Sequence, residues 1–303
     1  LTPRKHSVRV FLAQIAPALG DVERNRDLHL ERIAAARAAG ADLVVFPELS
    51  LTGYWLHDLV GEIAVDPATA EVLEPLRQAA RQIDVVLGLV EAGEDGQAYN
   101  AAAWLSDGEV LAVHRKVHLP TYTLFDEGRY FAPGTRVRAF ETRFGRAGLL
   151  ICEDLWHPAL PYLLAQDGGD LLVVLSSGPG RGIGDGELAS ERSWKLLGET
   201  AARFHTQFLI YVNRVGVEDG YSFTGGSFVF APDGTLLAEL PDLEEAGETV
   251  ELDRREIRRI RQLSPLRRGD RPDVVFRELG RILTGREPEG EVAEVPWTPE
   301  SEK

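Results

Sequence analysis

An α/β fold, two stacked sheets with helices on their outer faces, follows from three features of this 303-residue sequence. Apolar runs of strand length alternate with helix-length segments, as in Asp42-Leu43-Val44-Val45-Phe46 and Asp170 to Ser176. Other strands arrive in pairs joined by tight turns such as Asp107-Gly108 and Pro232-Asp233-Gly234. A composition of 44% hydrophobic and 27% charged residues supplies the core that such layers must bury.

Val8 to Gln14 places Val8, Val10 and Leu12 on one side of a half-buried strand. A helix follows, capped by Asp21, with Leu28, Ile33 and alanines on its apolar face and Gly40 at its end. Asp42 to Phe46 is a fully apolar strand stopped by Pro47, with Glu48 just beyond. Asp66-Pro67 predicts the start of a second helix running to about Gln82. Asp84 to Val90, Gln97 to Leu105 and Glu109 to His114 form an antiparallel meander. The long loop Leu119 to Gly134, which opens just after Lys116, is of a length that is usually functional.

Strands near Val137 to Phe140 and Ala147 to Cys152 precede a helix from His157 or Pro158 to Asp167. After the strand Asp170 to Ser176 come the glycine-rich loop Gly178 to Gly186 and a helix from Glu187 to about His205. Phe208 to Asn213, Gly226 to Phe230, Thr235 to Leu240 and Glu248 to Leu252 complete the strands. The pattern predicts one domain over residues 1–270, then an extended arm and frayed acidic tail over 271–303, where the composition turns polar.

With 33 basic against 48 acidic residues, the net charge of −15 opposes nucleic-acid binding and favours small neutral or cationic partners. No apolar run approaches the roughly 20 residues of a membrane span. Leu1 to His6 lacks a signal peptide's apolar segment, so the expected setting is cytoplasmic and away from membranes. One cysteine excludes an internal disulfide. Gly180, Gly182, Gly184 and Gly186 recur at every second position, which is not dinucleotide-loop spacing, and they read as a pocket rim. His114 and His118 have the separation of zinc ligands on a helix, but their strand context and Pro120 favour solvated histidines. No metal and no cofactor is expected.

That cysteine, Cys152, stands where an apolar run meets charge in Gly148-Leu149-Leu150-Ile151-Cys152-Glu153-Asp154-Leu155-Trp156. A lone thiol is more often a small core hydrophobe than a reagent. Glu48 and Lys116, however, also follow apolar strands, so one sheet edge could gather all three. A thiol attacking an amide needs a base, donors for the oxyanion and an acid for the departing amine. Behind Phe46 and Pro47, Glu48 would have its carboxyl raised toward neutrality by desolvation and could act as base, then acid. Lys116 could hold the oxyanion with the backbone amide of Glu153. His157 offers itself as an alternative base for Cys152, and Trp156 as a wall of the pocket.

Phe46-Pro47-Glu48-Leu49-Ser50-Leu51-Thr52-Gly53-Tyr54, Arg115-Lys116-Val117-His118-Leu119-Pro120 and Ile151-Cys152-Glu153-Asp154-Leu155-Trp156 stand in this order over a stretch from about Val8 to Pro272. Together they resemble the nitrilase (carbon–nitrogen hydrolase) superfamily. The resemblance implies a four-layer α-β-β-α sandwich, a triad of Glu48, Lys116 and Cys152, a thioester acyl-enzyme, and a positioning role near the substrate for Glu127. Leu119-Pro120-Thr121-Tyr122, Phe125-Asp126-Glu127-Gly128-Arg129-Tyr130-Phe131 and Cys152 to Trp156 look more narrowly like the glutaminase domain of glutamine-dependent NAD synthetases. That likeness implies that Tyr122, and groups such as Ser177 and Arg181 after the strand ending at Ser176, hold the substrate.

The expectation is thus a metal-free amidohydrolase that cleaves a small non-peptide amide to carboxylate and ammonia. Cys152 is the nucleophile, with Tyr122, Glu127, Glu153, Trp156, Ser177 and Arg181 around the substrate. A glutaminase subunit feeding ammonia to a separate synthetase is the alternative enzyme, and a non-catalytic binding protein of the same fold the alternative from another class. A homodimer or larger assembly is expected, because the segment past Arg271 lacks enough apolar residues for a core of its own.

Overall fold

The computed structural model describes residues 6–184 and 187–286. The first residues, the end of the glycine-rich loop and the acidic tail from residue 287 lie outside the described residues.

Two six-stranded sheets stack face to face. In spatial order the first is Ala246–Asp253, Ser7–Gln14, Leu43–Val45, Asp84–Ala92, Ala98–Ser106 and Glu109–Arg115. The second is Leu236–Glu239, Phe228–Phe230, Phe208–Asn213, Leu171–Ser176, Gly145–Ile151 and Phe140–Thr142. Alternation along the strands sorts side chains between layers. Val8, Val10 and Leu12 point into the core between the sheets, beside Leu149, Val173 and Phe208. Phe11 and Ala13 point the other way, under Ile33 and Ala36 of the helix Val22–Ala38 and Leu76 of Glu74–Ala79. Past Arg9 this strand is therefore buried on both faces, more than the half-buried pattern expected of it. The helices Ala159–Gln166 and Ala189–His205 contribute Leu160, Leu164, Ala201 and Ala202 to the core against the second sheet. This is the four-layer α-β-β-α sandwich.

The element boundaries moved where a local signal had a competitor. Asp66 accepts hydrogen bonds from the Ala68 amide and the Thr69 hydroxyl, a tight turn that stops a helix from starting there. The helix begins instead at Glu74, with Pro75 in its first turn. The hairpin strands Val215–Glu218 and Tyr221–Thr224 and the helix Arg255–Leu263 add to the expected elements. Residues Pro272–Thr284, expected as an extended arm, form an amphipathic helix closed by Gly285 in the left-handed conformation. Among the described residues no helix is long and apolar enough to cross a membrane.

Parallel pairing decides where the strand ends fall. Leu43–Val45 runs parallel to Asp84–Ala92, and two antiparallel steps bring Glu109–Arg115 back to the same direction. Glu48 and Lys116, just past two of these strands, therefore emerge on one edge of the first sheet. Gly88 seats the Glu48 turn, since a Cβ there would stand 2.2 Å from the Leu49 nitrogen and 2.6 Å from the Pro47 oxygen. Cys152 follows Gly145–Ile151 in the second sheet, so facing edges of two sheets, rather than one edge, meet at the site.

Asp154 ties those edges together. It is buried, and Oδ1 accepts from the amides of Val117 (3.1 Å) and His118 (3.0 Å) on the lysine side. Oδ2 accepts from the Ile151 amide (3.1 Å) beside the cysteine and pairs with His114 Nε2 at 2.9 Å. Burial alone would push this carboxyl up, but the hydrogen bonds from His114 and His118 hold it well below the usual carboxylate range. A depressed carboxyl stabilises the fold above its unfolded pKa of about 4, and that contribution fades as the pH falls toward the folded value. Asp154→Asn is expected to cost about 2 kcal/mol or more near neutrality. Urea unfolding of both proteins from about pH 7 down to about pH 3 checks this: the gap should close on acidification, and a gap independent of pH would refute the assignment.

Candidate active site

Three residues that follow strands meet below a cleft. Lys116 is fully buried, and its Nζ lies 2.7 Å from Glu48 Oε1 and 2.6 Å from Glu127 Oε1. Glu48, 1% exposed, also accepts from Asn100 Nδ2 at 2.8 Å and from the Ser177 amide at 2.7 Å. Every carboxylate oxygen of Glu48 is thus held by a donor, and the side chain has one orientation. Cys152 takes φ 45°, a conformation that costs a non-glycine residue of order 1–3 kcal/mol and that turns its side chain out of the strand direction. Leu49, next to Glu48, is held likewise at φ 47°.

The charges set the resting protonation. Burial pushes the Cys152 thiol well up and the Glu48 charge adds to it, while Lys116 and a hydrogen bond with Ser176 offset only part. The thiol therefore rests protonated and needs a base before it can attack. For Lys116 burial works against the ammonium, yet Glu127 and Glu48 outweigh it and hold its pKa above the usual lysine value. Burial raises Glu127 to about 7, with Lys116 opposing and Glu48 adding. A base, a fixed cation and a protonated thiol in one buried cluster can together take up a proton, steady an oxyanion and form an acyl bond.

In front of Cys152 lies a cleft of about 320 Å³. Of the expected substrate-side residues, Tyr122, Glu153, Trp156 and Arg181 line it with Cys152. The Tyr122 hydroxyl donates to Glu153 at 2.9 Å, and burial followed by this bond raises Tyr122 to about 12. The Arg181 guanidinium lies 4.6 Å over the Phe125 ring and donates to Thr123 Oγ1 at 3.3 Å. Trp156 meets Trp194 edge to face, at 5.3 Å between ring centres. Ser177 and Glu127 are placed differently. The Ser177 side chain is buried and its hydroxyl donates to the Glu48 carbonyl at 2.9 Å, so it holds Glu48 instead of facing the cleft. Glu127 sits below the cleft, on Lys116 and on the Tyr54 hydroxyl at 2.5 Å.

His114, expected in solvent, is 8% exposed and bonded to Asp154. His118 also faces Asp154, with 3.4 Å from Nδ1 to Oδ1, and its ring stacks on His157 at 3.4 Å. Solvation was the wrong reading of this pair because alternation along a strand reports which way a side chain points, not whether a buried anion waits there. His157 lies against His118 and 3.8 Å from Glu153 Oε1. Among the described residues no group of three or more His, Cys, Asp or Glu side chains is placed to hold a metal ion. Residues missed from sequence are Asn100, Ser176 and Asp154; Tyr54, which from sequence could line a pocket or simply pack, instead donates to Glu127 below the cleft. Tyr54 and Asp154 stand inside the quoted motifs, which was their available signal; Asn100 and Ser176 sit among strand residues without one.

Comparison with known proteins agrees with this geometry. Residues 9–262 match the carbon-nitrogen hydrolase family. A glutamine-dependent NAD(+) synthetase of Thermotoga maritima is 37% identical over 265 residues, covering 86% of this chain and 45% of the relative. The chain spans less than half the length of the curated relatives it matches. A crystal structure of a carbon-nitrogen hydrolase from Helicobacter pylori superposes with a TM-score of 0.79 at 25% identity, covering 90% of this chain and 99% of that one. A double mutant of the amidase from Nesterenkonia sp. AN1, in complex with acrylamide, gives 0.74 at 28% identity, with 92% and 99% covered. Fold and sequence agree over most of the chain, which belongs to the carbon-nitrogen hydrolase family, whose enzymes hydrolyse C–N bonds.

Proposed function

We infer that the chain cleaves the side-chain amide of a short amino acid, glutamine first, to carboxylate and ammonia through a thioester on Cys152. The observation that carries this reading is the pair of opposite charges at the cleft, Glu153 and Arg181, on the same space that Cys152 faces. An α-ammonium group suits Glu153 and the Tyr122 hydroxyl bonded to it, and an α-carboxylate suits Arg181. A zwitterion held at both ends would present its amide to the thiol.

Glu48 takes the thiol proton as Sγ bonds to the amide carbon. The carbonyl oxygen becomes an oxyanion, held by Lys116 and the backbone amide of Glu153. Glu48 returns the proton to the nitrogen, the C–N bond breaks and ammonia leaves, with the acyl group on sulfur. Water then attacks the thioester, giving its proton to Glu48, and the carboxylate departs as the thiol is restored. A protonated resting thiol fits this order, because nucleophile and base act in one step. No metal or cofactor takes part in this sequence.

The relatives suggest a second reading, in which the ammonia passes to a synthetase instead of being released. They are glutamine-dependent NAD synthetases, and the chain spans less than half their length. Adding an ammonia-dependent NAD synthetase and following glutamine-driven NAD formation tests it. A homodimer or larger assembly in a cytoplasmic setting belongs to the same reading. It is supported by the exposed apolar side chains Phe276 (66%), Ile282 (64%) and Leu283 (82%) on Pro272–Thr284. Light scattering at micromolar concentration should show more than a monomer.

Cys152→Ala is expected to abolish turnover in a folded protein, and Glu48→Gln and Lys116→Ala to cost on the order of 10² or more in rate. Wild-type enzyme should yield an acyl adduct by mass spectrometry, which a non-catalytic binder would not. The substrate is decided by kcat/KM for glutamine against pentanamide at neutral pH. Glutamine should be the better substrate; pentanamide equal or better would leave a general aliphatic amidase.

A further inference from the structure

The hairpin Val215–Glu218 and Tyr221–Thr224 reaches the site without lining it. Its Glu218 is 6% exposed, and Oε1 accepts from two consecutive amides, Tyr54 at 2.8 Å and Trp55 at 2.6 Å. Oε2 accepts from Arg214 Nη1 at 2.5 Å. Arg214 is itself buried, 4.3 Å over the Phe223 ring and bonded to the Pro17 carbonyl. The loop is pressed onto this ion pair. Gly53 has φ 81°, and a Cβ there would stand 2.8 Å from Leu19 Cα and 3.1 Å from Glu218 Oε2.

What this clamp holds is the Tyr54 hydroxyl. The Tyr54 ring is walled edge-on by Trp55, Phe125 and Phe223, and its hydroxyl donates to Glu127 Oε1 at 2.5 Å. The same oxygen receives Lys116 Nζ at 2.6 Å. Two donors on one oxygen leave Glu127 Oε2 buried with no hydrogen-bond partner among the described residues. Which oxygen is left open, and the angle at which Glu127 meets Lys116, therefore depend on where Tyr54 stands.

The geometry points to Glu218 as a positioning residue of this site, acting through the Tyr54 backbone and hydroxyl on the Glu127–Lys116 pair. This rests on the amide-hydrolase reading above. Glu218 touches neither thiol nor cleft; it fixes the loop from which Tyr54 orients a buried carboxylate. Its loss frees two amides and lets the hydroxyl drift, and a displacement near 1 Å in such a cluster costs up to about 10² in rate.

The test is a double-mutant cycle of Glu218→Ala with Tyr54→Phe. Each single change should lower kcat by about tenfold or more with KM little altered, and the pair should do no worse than the stronger single. Glu218→Gln, which keeps an acceptor for both amides, should rescue most of the loss. A second readout needs no substrate: alkylation of Cys152, the only cysteine, by iodoacetamide across pH. The titratable groups that interact with that thiol are Glu48, Lys116, Glu127, Tyr54, Tyr122 and Tyr211. Without the Tyr54 hydrogen bond Glu127 takes up its proton more readily, negative charge beside the thiol falls, and the profile should move to lower pH equally in both singles and the double. Multiplying effects, or a folded Glu218→Ala with wild-type kcat and profile, would overturn the inference. Should Glu218→Ala not fold, Glu218→Asp, which withdraws the acceptor by one methylene, takes its place in the same cycle. Should the wild-type chain hydrolyse no amide, the functional reading fails while the alkylation cycle still decides the role of Glu218.

Discussion

One buried ammonium between two buried carboxylates is the constraint that the rest of the site answers to. An ion pair taken out of water loses solvation that its own attraction scarcely returns, so its members must be hydrogen-bonded all round or the cluster will not hold. Around Lys116 this is largely met: Asn100 and the Ser177 amide complete Glu48, and Tyr54 completes one oxygen of Glu127. The unmet oxygen and the raised carboxyl of Glu127 are where the cluster keeps spare capacity. Without Lys116, two carboxylates and a thiol would face each other in a low dielectric, and one of them would have to stay protonated.

The sandwich brings Glu48, Lys116 and Cys152 together because each lies within three residues of a strand end. Strand ends are rigid, so small main-chain devices suffice to aim the side chains. Gly88 gives the Glu48 turn its seat, φ 45° swings Cys152 out of line, and Asp154 pins the lysine loop to the cysteine turn. The strain at Cys152 persists because strand pairing on one side and Asp154 on the other over-determine the turn.

Much of this was legible in the sequence because apolar runs end at Glu48, near Lys116 and at Cys152, and run length with alternation is a local signal. The sandwich layers followed from the same signal. What stayed hidden depends on partners far apart in the chain. Asn100 looks like any polar strand residue until Glu48 is placed against it, 52 positions away. Glu218 carries no signal of its own until the Tyr54 loop is laid over it, and Ser177 reads as a substrate contact until its hydroxyl is found on the Glu48 carbonyl. The helix Pro272–Thr284 was obscured because the polar, proline-containing sequence after it dominates the composition of residues 271–303, although Val275, Leu279, Ile282 and Leu283 keep helical spacing.

The cleft meets the buried cluster at Cys152. Of the three reacting candidates only Cys152 lines it; Glu48 and Lys116 lie beneath, and the remaining wall comes from the segments carrying Tyr122 and Arg181, the turn ending at Trp156 and the helix carrying Trp194. On the mechanism proposed above, recognition and proton handling are therefore carried by different parts of the chain. A change in the rim alters which acyl group is admitted without disturbing the buried charges, whereas a change in the cluster disturbs every substrate alike. On the amide-hydrolase reading, such a division lets a lineage explore new amides by substituting rim residues one at a time while the buried cluster stays unchanged.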